Sequence, residues 1–524
     1  MSRRFRPEAL PGLFGALGSG VATSLSFPPY NLPWLLPVGL AGLMLVVRRA
    51  NGGFWAGLMF GLGLMAPMLR WLTVIGVDAW LALSLLEAVF LAAMASLWRG
   101  LRHRRAWPLA YAVSWAGFEV LRGLVPFGGF PWGTLAFGLV DSTIARYGRL
   151  GGTALVSLVV VATVAVVVDL AERRGRGRTD LAVGLGAVAT VVVSALIPVG
   201  TAGAVGNVNV AAIQGNVPGA GMNAFAERRA VLDNHASTTR ALAADVAAGR
   251  EPRPDLVIWP ENSTDIDPYS DPTAYDEIHQ AVRAIGVPTL VGAVVNGPAD
   301  FQVQNMGIVW DPRTGPGEQY VKRHPVPFGE YIPFRDVLTR FISRLEQIPR
   351  DFARGDTVGV LDVGPATVGD VICFEVAYDG LVRDVVEAGA EMLVVQTNNA
   401  TYTGTGQLEQ QFAISRYRAI ETGRSVVVAA TNGISGVIGP DGEVIARSEQ
   451  RTRAVLQESV ATGDGVTLGV RLGRWVQGLV LVATAAMVVL GVLEHRRGTG
   501  TMRQWRANGR WSSSRRTTRR RTSS

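Results

Sequence analysis

The stretch Val371-Ile372-Cys373-Phe374-Glu375 holds the only cysteine among 524 residues. A single cysteine makes no intramolecular disulfide, so Cys373 serves either packing or reactivity. Ahead of it, Thr367-Val368-Gly369-Asp370-Val371-Ile372 is apolar and β-prone, and a helix-like segment begins near Tyr378. A cysteine at a strand end, on the turn into a helix, is placed for nucleophilic attack. Its side chain projects from the sheet edge, and neighbouring backbone N–H groups face an oxyanion as it forms. The alternative is a small buried apolar residue, and two upstream stretches weigh against that.

Leu256-Val257-Ile258-Trp259-Pro260-Glu261 has the composition of a buried strand and ends in a carboxylate. Tyr320-Val321-Lys322-Arg323-His324 sets a lysine after another strand-like segment. Attack by cysteine needs the thiolate, and a free thiol of pKa ~8.5 supplies little of it near neutrality. A carboxylate takes the thiol proton, and an ammonium stabilises both the thiolate and the tetrahedral oxyanion. Taken singly, Glu261 reads equally as a helix cap and Lys322 as a solvated charge.

Taken together, three motifs resemble the Glu-Lys-Cys triad of the nitrilase superfamily. They are Trp259-Pro260-Glu261, the run from Lys322 to Pro333, and Ile372-Cys373-Phe374-Glu375. Within the middle run, Pro327-Phe328-Gly329-Glu330-Tyr331-Ile332-Pro333 is similar to the motif of the membrane branch, the apolipoprotein N-acyltransferases. The resemblance implies an α-β-β-α sandwich. It implies that Cys373 takes a fatty acyl chain from a phospholipid as a thioester. The acceptor is then the α-amine of the N-terminal diacylglyceryl-cysteine of a lipoprotein. Glu261 is base and then acid, and Lys322 and the Phe374 N–H hold the oxyanion. Glu330 and Glu375 are further carboxylates that hold Lys322 or the incoming amine.

The flanks agree with a membrane protein. The chain is 48% hydrophobic and 18% charged, which suits membrane segments joined to a sizeable polar domain. Apolar stretches fall at about 10–26, 33–47, 53–73, 80–98, 106–121, 150–168, 181–199 and 475–493, and a helix needs ~20 apolar residues to cross the hydrocarbon. Basic loops alternate with loops poor in arginine, which sets the N-terminus in the cytoplasm. The expected organisation is a membrane domain over 1–202 with about seven spans. A nitrilase-like domain over 203–468 follows on the extracytoplasmic face, then a span over 469–495 and a basic disordered cytoplasmic tail over 496–524. Of the net charge of +8, ten arginines lie after Glu494 with no acid beside them, so the rest of the chain is slightly negative. Such a tail beside a span contacts anionic lipid in preference to nucleic acid.

Within the apolar part, Glu87, Glu119, Arg122 and Trp132 stand out. Charges there are costly and are functional candidates; Glu119 also reads as a structural partner of Arg122, one turn away. Phe118 to Gly123, followed by Gly129-Phe130-Pro131-Trp132, resembles the N-acyltransferase membrane domain. In the polar part, strands are expected at 208–214, 255–259, 289–295, 305–310, 367–373, 392–397 and 426–431. Helices are expected at 223–248, 273–285, 379–388 and 407–421, with a hairpin turn at Gly439-Pro440-Asp441-Gly442.

Phe334, Val337, Leu338, Phe341, Ile342, Leu345 and Ile348 recur at helical spacing among arginines. This predicts an amphipathic helix within 331–356, on the membrane surface or packed on the sheet. The Gly/Thr-rich run Asn398 to Gly406 reads as a lid. His324 reads as structural. The five histidines show no metal spacing, and no cofactor is expected. The implied partners are a phospholipid donor, a diacylglyceryl lipoprotein acceptor and membrane lipids, met by a monomer in a bacterial cell membrane. Two rivals stay open: a membrane-anchored amidase with water as acceptor, and a non-enzymatic lipid-binding scaffold.

Overall fold

A computed structural model describes residues 10–49, 53–173, 178–218, 228–340 and 342–513. The eight apolar stretches become eight helices. Seven precede the sheets: α1 (Leu10–Ser24), α2 (Leu35–Arg49), α3 (Gly53–Met68), α4 (Val77–Leu101), α5 (Trp107–Arg122), α6 (Gly148–Glu172) and α7 (Arg178–Leu196). Spans long and apolar enough to cross a membrane are Val77–Leu101, Thr143–Glu172 and Leu468–Leu493; Gly53–Met68 and Gly184–Leu196 are shorter apolar helices. In a bilayer, helix association rests on close packing of small residues. Gly53, Gly57 and Gly61 line one side of α3 at four-residue spacing. A Cβ at Gly57 would sit 2.4 Å from the Leu91 carbonyl oxygen of α4, and one at Gly61 would sit 2.6 Å from the Ala88 Cα.

The polar part builds two sheets. Its elements are β1 (Ala204–Gln214), α8 (Arg228–Ala247), β2 (Leu256–Ile258), α9 (Pro272–Ile285), β3 (Thr289–Asn296), β4 (Gln302–Asp311), β5 (Gly315–Val321), α10 (Arg335–Leu338), β6 (Asp351–Phe352), β7 (Val360–Val363), β8 (Ala366–Ile372), α11 (Asp379–Glu387), β9 (Met392–Thr397), α12 (Gln407–Thr422), β10 (Val426–Ala430), β11 (Gly436–Ile438), β12 (Val444–Arg447) and β13 (Ala454–Gly463), and α13 (Leu468–Ser513) closes the chain. One sheet runs β13-β1-β2-β3-β4-β5 with β6 beside β4, and the other runs β12-β11-β10-β9-β8-β7. Strands β1, β2 and β3 are parallel, as are β8, β9 and β10.

The period-two alternation of the strands divides their side chains between two cores. Val208, Val210 and Ala212 of β1 pack between the sheets with Val368, Ile372, Met392 and Val394. Ala211 and Ile213 of the same strand turn outward to α8 and α9, where Leu232, Ile278 and Val282 cover them. On the far side, α11 and α12 share one continuous core with the apolar helices. The α-β-β-α sandwich and the helical membrane domain are therefore joined through one of the sandwich's own layers.

Two expectations change. The segment 331–356 is not one amphipathic helix. It holds the single turn α10 and a 3-10 turn over Ser343–Gln347. Phe334 is left-handed (φ 51°) and Ile342 leaves the helical region (φ −130°, ψ 86°), so the helical path is broken twice. Arg335 pairs with Asp351, and Arg344 reaches Asp78 and the Ile75 carbonyl ahead of α4, so the segment is wound as a tethered loop. Phe341, counted in the stripe, lies outside the described residues. The basic tail expected to be disordered from 496 instead continues α13 to Ser513. A helix already formed by the apolar span extends without a new nucleation cost. Residues 514–524, with the N-terminal Arg3-Arg4, lie outside the described residues.

Within one sheet, β3 and the chain leaving β2 approach closely under the site. A Cβ at Gly292 in β3 would stand 2.1 Å from the Pro260 carbonyl oxygen and 2.7 Å from the Glu261 Cα. Gly292→Ala is expected to force that backbone aside and cost about 1–3 kcal/mol, read as a lower thermal unfolding midpoint in detergent. An unchanged midpoint would show that the backbone yields freely there.

Candidate active site

The three singled-out residues all follow strand ends. Glu261 comes three residues after β2, Lys322 directly follows β5, and Cys373 directly follows β8. Each lies near the carboxyl end of its strand, where α/β sheets hold ligands. Lys322 is buried, and its Nζ donates to Glu261 Oε1 at 2.9 Å and to Glu330 Oε1 at 2.8 Å. Asn305 Nδ2 bridges the same two oxygens at 2.7 and 3.2 Å. The Asn398 backbone N–H donates to Glu261 Oε2 at 2.6 Å, and the Val326 N–H donates to Glu330 Oε2 at 2.7 Å. One cation thus sits between two carboxylates whose orientations are set by other donors. Burial opposes the lysine's charge, yet Glu261, Glu330, Cys373 and Glu375 together hold it well above the ordinary lysine range.

Cys373 opens a 3-10 turn over Cys373–Ala377 with a left-handed backbone (φ 56°). A non-glycine residue held there stores strain that the surroundings must offset. Those surroundings are specific. Glu375, two residues on, accepts the Ile372 N–H at 2.9 Å with Oε2. Its Oε1 accepts the N–H groups of Arg323 at 2.8 Å and His324 at 2.9 Å, and the Tyr320 hydroxyl donates at 3.0 Å. Glu375, expected from sequence to hold Lys322 or the incoming amine, accepts these backbone donors and pins the chain after Lys322 to the cysteine turn. Burial, opposed mainly by Lys322, pushes its carboxyl up to about 7. The thiol is pushed up to about 12 by burial and by Glu261, while Lys322 and Thr397 pull it down. At rest the sulfur is a thiol, and its proton needs an acceptor.

The apolar helices complete the site. The ring of Phe374 stacks on Trp132 with centroids 5.4 Å apart and 12° between planes, and on Phe130 at 5.5 Å. The Tyr378 hydroxyl donates to the Gly129 carbonyl at 2.8 Å. His324 packs on Tyr378 at 3.8 Å, and its pKa is pushed down to about 4 by burial, then Arg354 and Lys322. Trp132 is brought to the cysteine turn, whereas Glu119 and Arg122 stand behind it. Arg122 pairs with Glu87 at 3.1 Å, not with Glu119, and donates to the carbonyls of Phe130 at 2.9 Å and Trp132 at 2.6 Å. Glu119 accepts the Leu135 N–H at 2.9 Å and the Ser157 hydroxyl. Both charges fix the 123–135 loop rather than reach the sulfur. The run expected as a lid is docked: Asn398 binds Glu261, and Tyr402 meets Trp71 edge-on at 5.0 Å.

Sequence reading missed Asn305, Thr397 and the glutamines opening α12. Thr397 donates to Cys373 Sγ at 3.3 Å. Gln410 Oε1 accepts the indole N–H groups of Trp132 at 2.7 Å and Trp71 at 3.1 Å, while its Nε2 donates to the carbonyls of Met68 at 3.0 Å and Pro28 at 3.1 Å. The signal was present in Gln407-Leu408-Glu409-Gln410-Gln411, a polar run that a buried helix would not carry without partners. Among the described residues no cluster of His, Cys, Asp and Glu fits a metal ion.

Comparison with known proteins adds a second line of observation. Residues 19–166 match the apolipoprotein N-acyltransferase N-terminal domain, and residues 209–465 match the carbon-nitrogen hydrolase family. The apolipoprotein N-acyltransferase of Mycolicibacterium smegmatis is 37% identical, over 93% of this chain and 86% of its own. That of Gloeobacter violaceus is 30% identical, over 94% and 96%. Among solved structures, an amidase from Nesterenkonia sp. AN1 is 17% identical, covering 48% of this chain and 92% of its own with a TM-score of 0.36.

The buried Lys322 trio yields a stability prediction. Lys322→Met leaves Glu261 and Glu330 facing each other without their cation, which is expected to cost about 3–5 kcal/mol. Glu330→Gln keeps an oxygen for the lysine and is expected to cost clearly less. Thermal unfolding of both variants in detergent checks the order; Lys322→Met as stable as the parent would remove the trio from the role of structural keystone.

Proposed function

The chain belongs to the apolipoprotein N-acyltransferase family, and on that premise we propose that Cys373, Glu261 and Lys322 carry acyl transfer through a thioester. The chain is an acyltransferase with a carbon-nitrogen hydrolase domain. In the proposed first half-reaction, Glu261 takes the thiol proton as Cys373 Sγ attacks the ester carbonyl of a phospholipid. The tetrahedral oxyanion rests between the Lys322 ammonium and the Phe374 N–H. Its collapse breaks the ester C–O bond, and Glu261 returns the proton to the departing lysophospholipid. In the second, the α-amine of a diacylglyceryl-cysteine attacks the thioester and Glu261 takes its proton. The C–S bond breaks, the amide forms and the thiol is restored. Such ping-pong chemistry lets two bulky lipids use one site in turn.

The observation that carries this reading over simple amide hydrolysis is the stack of Phe374 on Trp132. The residue beside the nucleophile packs on the apolar-helix domain, which is where a lipid substrate is held and a small soluble amide has no need to be. Glu330 supports the reading by holding Lys322. The proposed topology is eight crossings in a bacterial cytoplasmic membrane, with residues 203–468 outside and the basic tail inside, the protein acting as a monomer. The alternation of arginine-rich loops supports that orientation.

Because Cys373 is the sole thiol, any thioester must sit there. Full-length protein given phospholipid alone is expected to gain the mass of one acyl chain, which neutral hydroxylamine removes. A diacylglyceryl-cysteine peptide should then discharge it onto its α-amine. Glu261→Gln and Cys373→Ser are both expected to lose turnover. An adduct that passes only to water would overturn the transferase reading and leave the amidase. For topology, single cysteines added to a Cys373→Ala background should react with an impermeant reagent on intact cells at positions within 203–468 and not within 500–524. Labelling of the tail would reverse the orientation.

A further inference from the structure

Thr397 ends β9 and is buried, with its hydroxyl donating to Cys373 Sγ at 3.3 Å. A threonine hydroxyl carries one proton. Gln411 Nε2 donates to Thr397 Oγ1 at 2.9 Å, and an amide nitrogen accepts nothing in return. The hydroxyl proton is therefore left for the sulfur. The amide of Gln411 is in turn oriented, because its Oε1 accepts Gln407 Nε2 at 2.7 Å. Gln407 Oε1 accepts Asn399 Nδ2 at 3.3 Å. Every donor from Asn399 through Gln407, Gln411 and Thr397 points the same way, toward Cys373. Reversing any one amide requires reversing its neighbours, and would bring the Gln411 oxygen toward the sulfur in place of an N–H that stands 3.9 Å from it.

We propose that Thr397 and Gln411 are positioning residues that form the end of a one-way hydrogen-bond relay stabilising the Cys373 thiolate, both when it attacks and when it leaves. This rests on the reading of Cys373 as the nucleophile. The need for such a relay follows from charge. Lys322 already serves two carboxylates, Glu261 at 2.9 Å and Glu330 at 2.8 Å. Glu375 lies on the cysteine's own turn. A thiolate formed there meets one shared cation and two carboxylates, Glu261 and Glu330, that oppose its charge. Neutral donors offset its charge without adding a partner for Glu261, and hydrogen bonds to a charged atom are the stronger kind.

The relay is also tied to the apolar helices. Gln410, next to Gln411, has both oxygen lone pairs and both amide protons taken by Trp132, Trp71, Met68 and Pro28. The first turn of α12 cannot rotate without breaking those bonds, so the glutamine that aims Thr397 is held in place by the membrane domain.

The test uses the full-length protein in detergent, with Cys373 as its only thiol. Alkylation by iodoacetamide over pH 7–9 lies below the thiol's midpoint, so its rate follows the thiolate fraction. Thr397→Val removes the donor at constant shape and is expected to slow alkylation about tenfold at each pH, a displacement of about one pH unit. Acyl-enzyme formation from phospholipid should fall by a similar factor. Thr397→Ser should restore both, which a role in packing alone would not produce. Gln411→Leu should shift alkylation in the same direction, and should add nothing in the Thr397→Val background. Should Thr397→Val fail to fold, Gln411→Leu against the parent decides. A parental pH profile in Thr397→Val, or a full further shift in the double variant, overturns the relay. A parent that alkylates as expected but takes no acyl chain from phospholipid overturns the acyl-transfer reading and leaves the relay standing.

Discussion

The Lys322 ammonium is held inside the protein by Glu261 at 2.9 Å and Glu330 at 2.8 Å, and much of the surrounding structure exists to keep it there. An ion taken out of water costs several kcal/mol unless its partners are well placed. The partners here come from separate parts of the chain: the end of β2, the loop after β5 and, through Asn305, strand β4. Their convergence requires both sheet order and register. The close approach of Gly292 to Pro260 leaves no side chain under Glu261, and the Asn398 N–H closes the other side. The same cation also pulls the Cys373 thiol's pKa down. An arrangement meant only for stability would be served as well by apolar residues; the retained charges point to chemistry.

The second constraint is the strained turn at Cys373. Four separate groups secure it. Glu375 ties it back to the lysine strand. The Arg418 guanidinium donates to the carbonyls of Val376 at 2.7 Å and Ala377 at 2.8 Å. Phe374 stacks on Trp132, and Tyr378 binds Gly129. Two of the four belong to the loop between α5 and α6. The sandwich thus does not finish the cysteine turn by itself, and the apolar-helix part supplies the remainder. Helix α12 carries most of this linkage, with Gln410, Gln411 and Arg418 spaced along it so that one helix touches the membrane domain, the sulfur and the turn's carbonyls. Arg418 is itself paired with Glu421 at 2.5 Å and Asp379 at 2.8 Å, and so remains charged.

Much of this was legible because it depends on short-range chemistry. Strand-end carboxylate, lysine and cysteine are recognisable within a few residues of each apolar run, and Lys322 is hydrogen-bonded to Glu261. The helices are equally local: the long apolar runs form helices, whereas short ones such as β9 and β10 form strands. The failures share a cause. The stripe within 331–356 has the right spacing, but Phe334 and Ile342 leave the helical region and Arg335 and Arg344 are engaged by Asp351 and Asp78. Periodicity cannot foresee a competing partner far along the chain. Arg122 was matched with Glu119, one turn away, because nearness in sequence is all that a sequence displays; Glu87, on another helix, is the acid that reaches it.

The sequence by itself determined which charged and polar residues end the apolar strands and which segments are apolar, since both are properties of side chains and their near neighbours. The tertiary structure alone decided how those residues are poised. It set which carboxylate holds the lysine and which holds the backbone, since Glu330 and Glu375 are identical in kind and differ only in what surrounds them. It placed Thr397 against the sulfur and Gln410 against two tryptophans, contacts between residues 24 and up to 339 positions apart. Hydrogen-bond direction, burial and charge balance arise only once distant segments share a volume, and no local pattern encodes them.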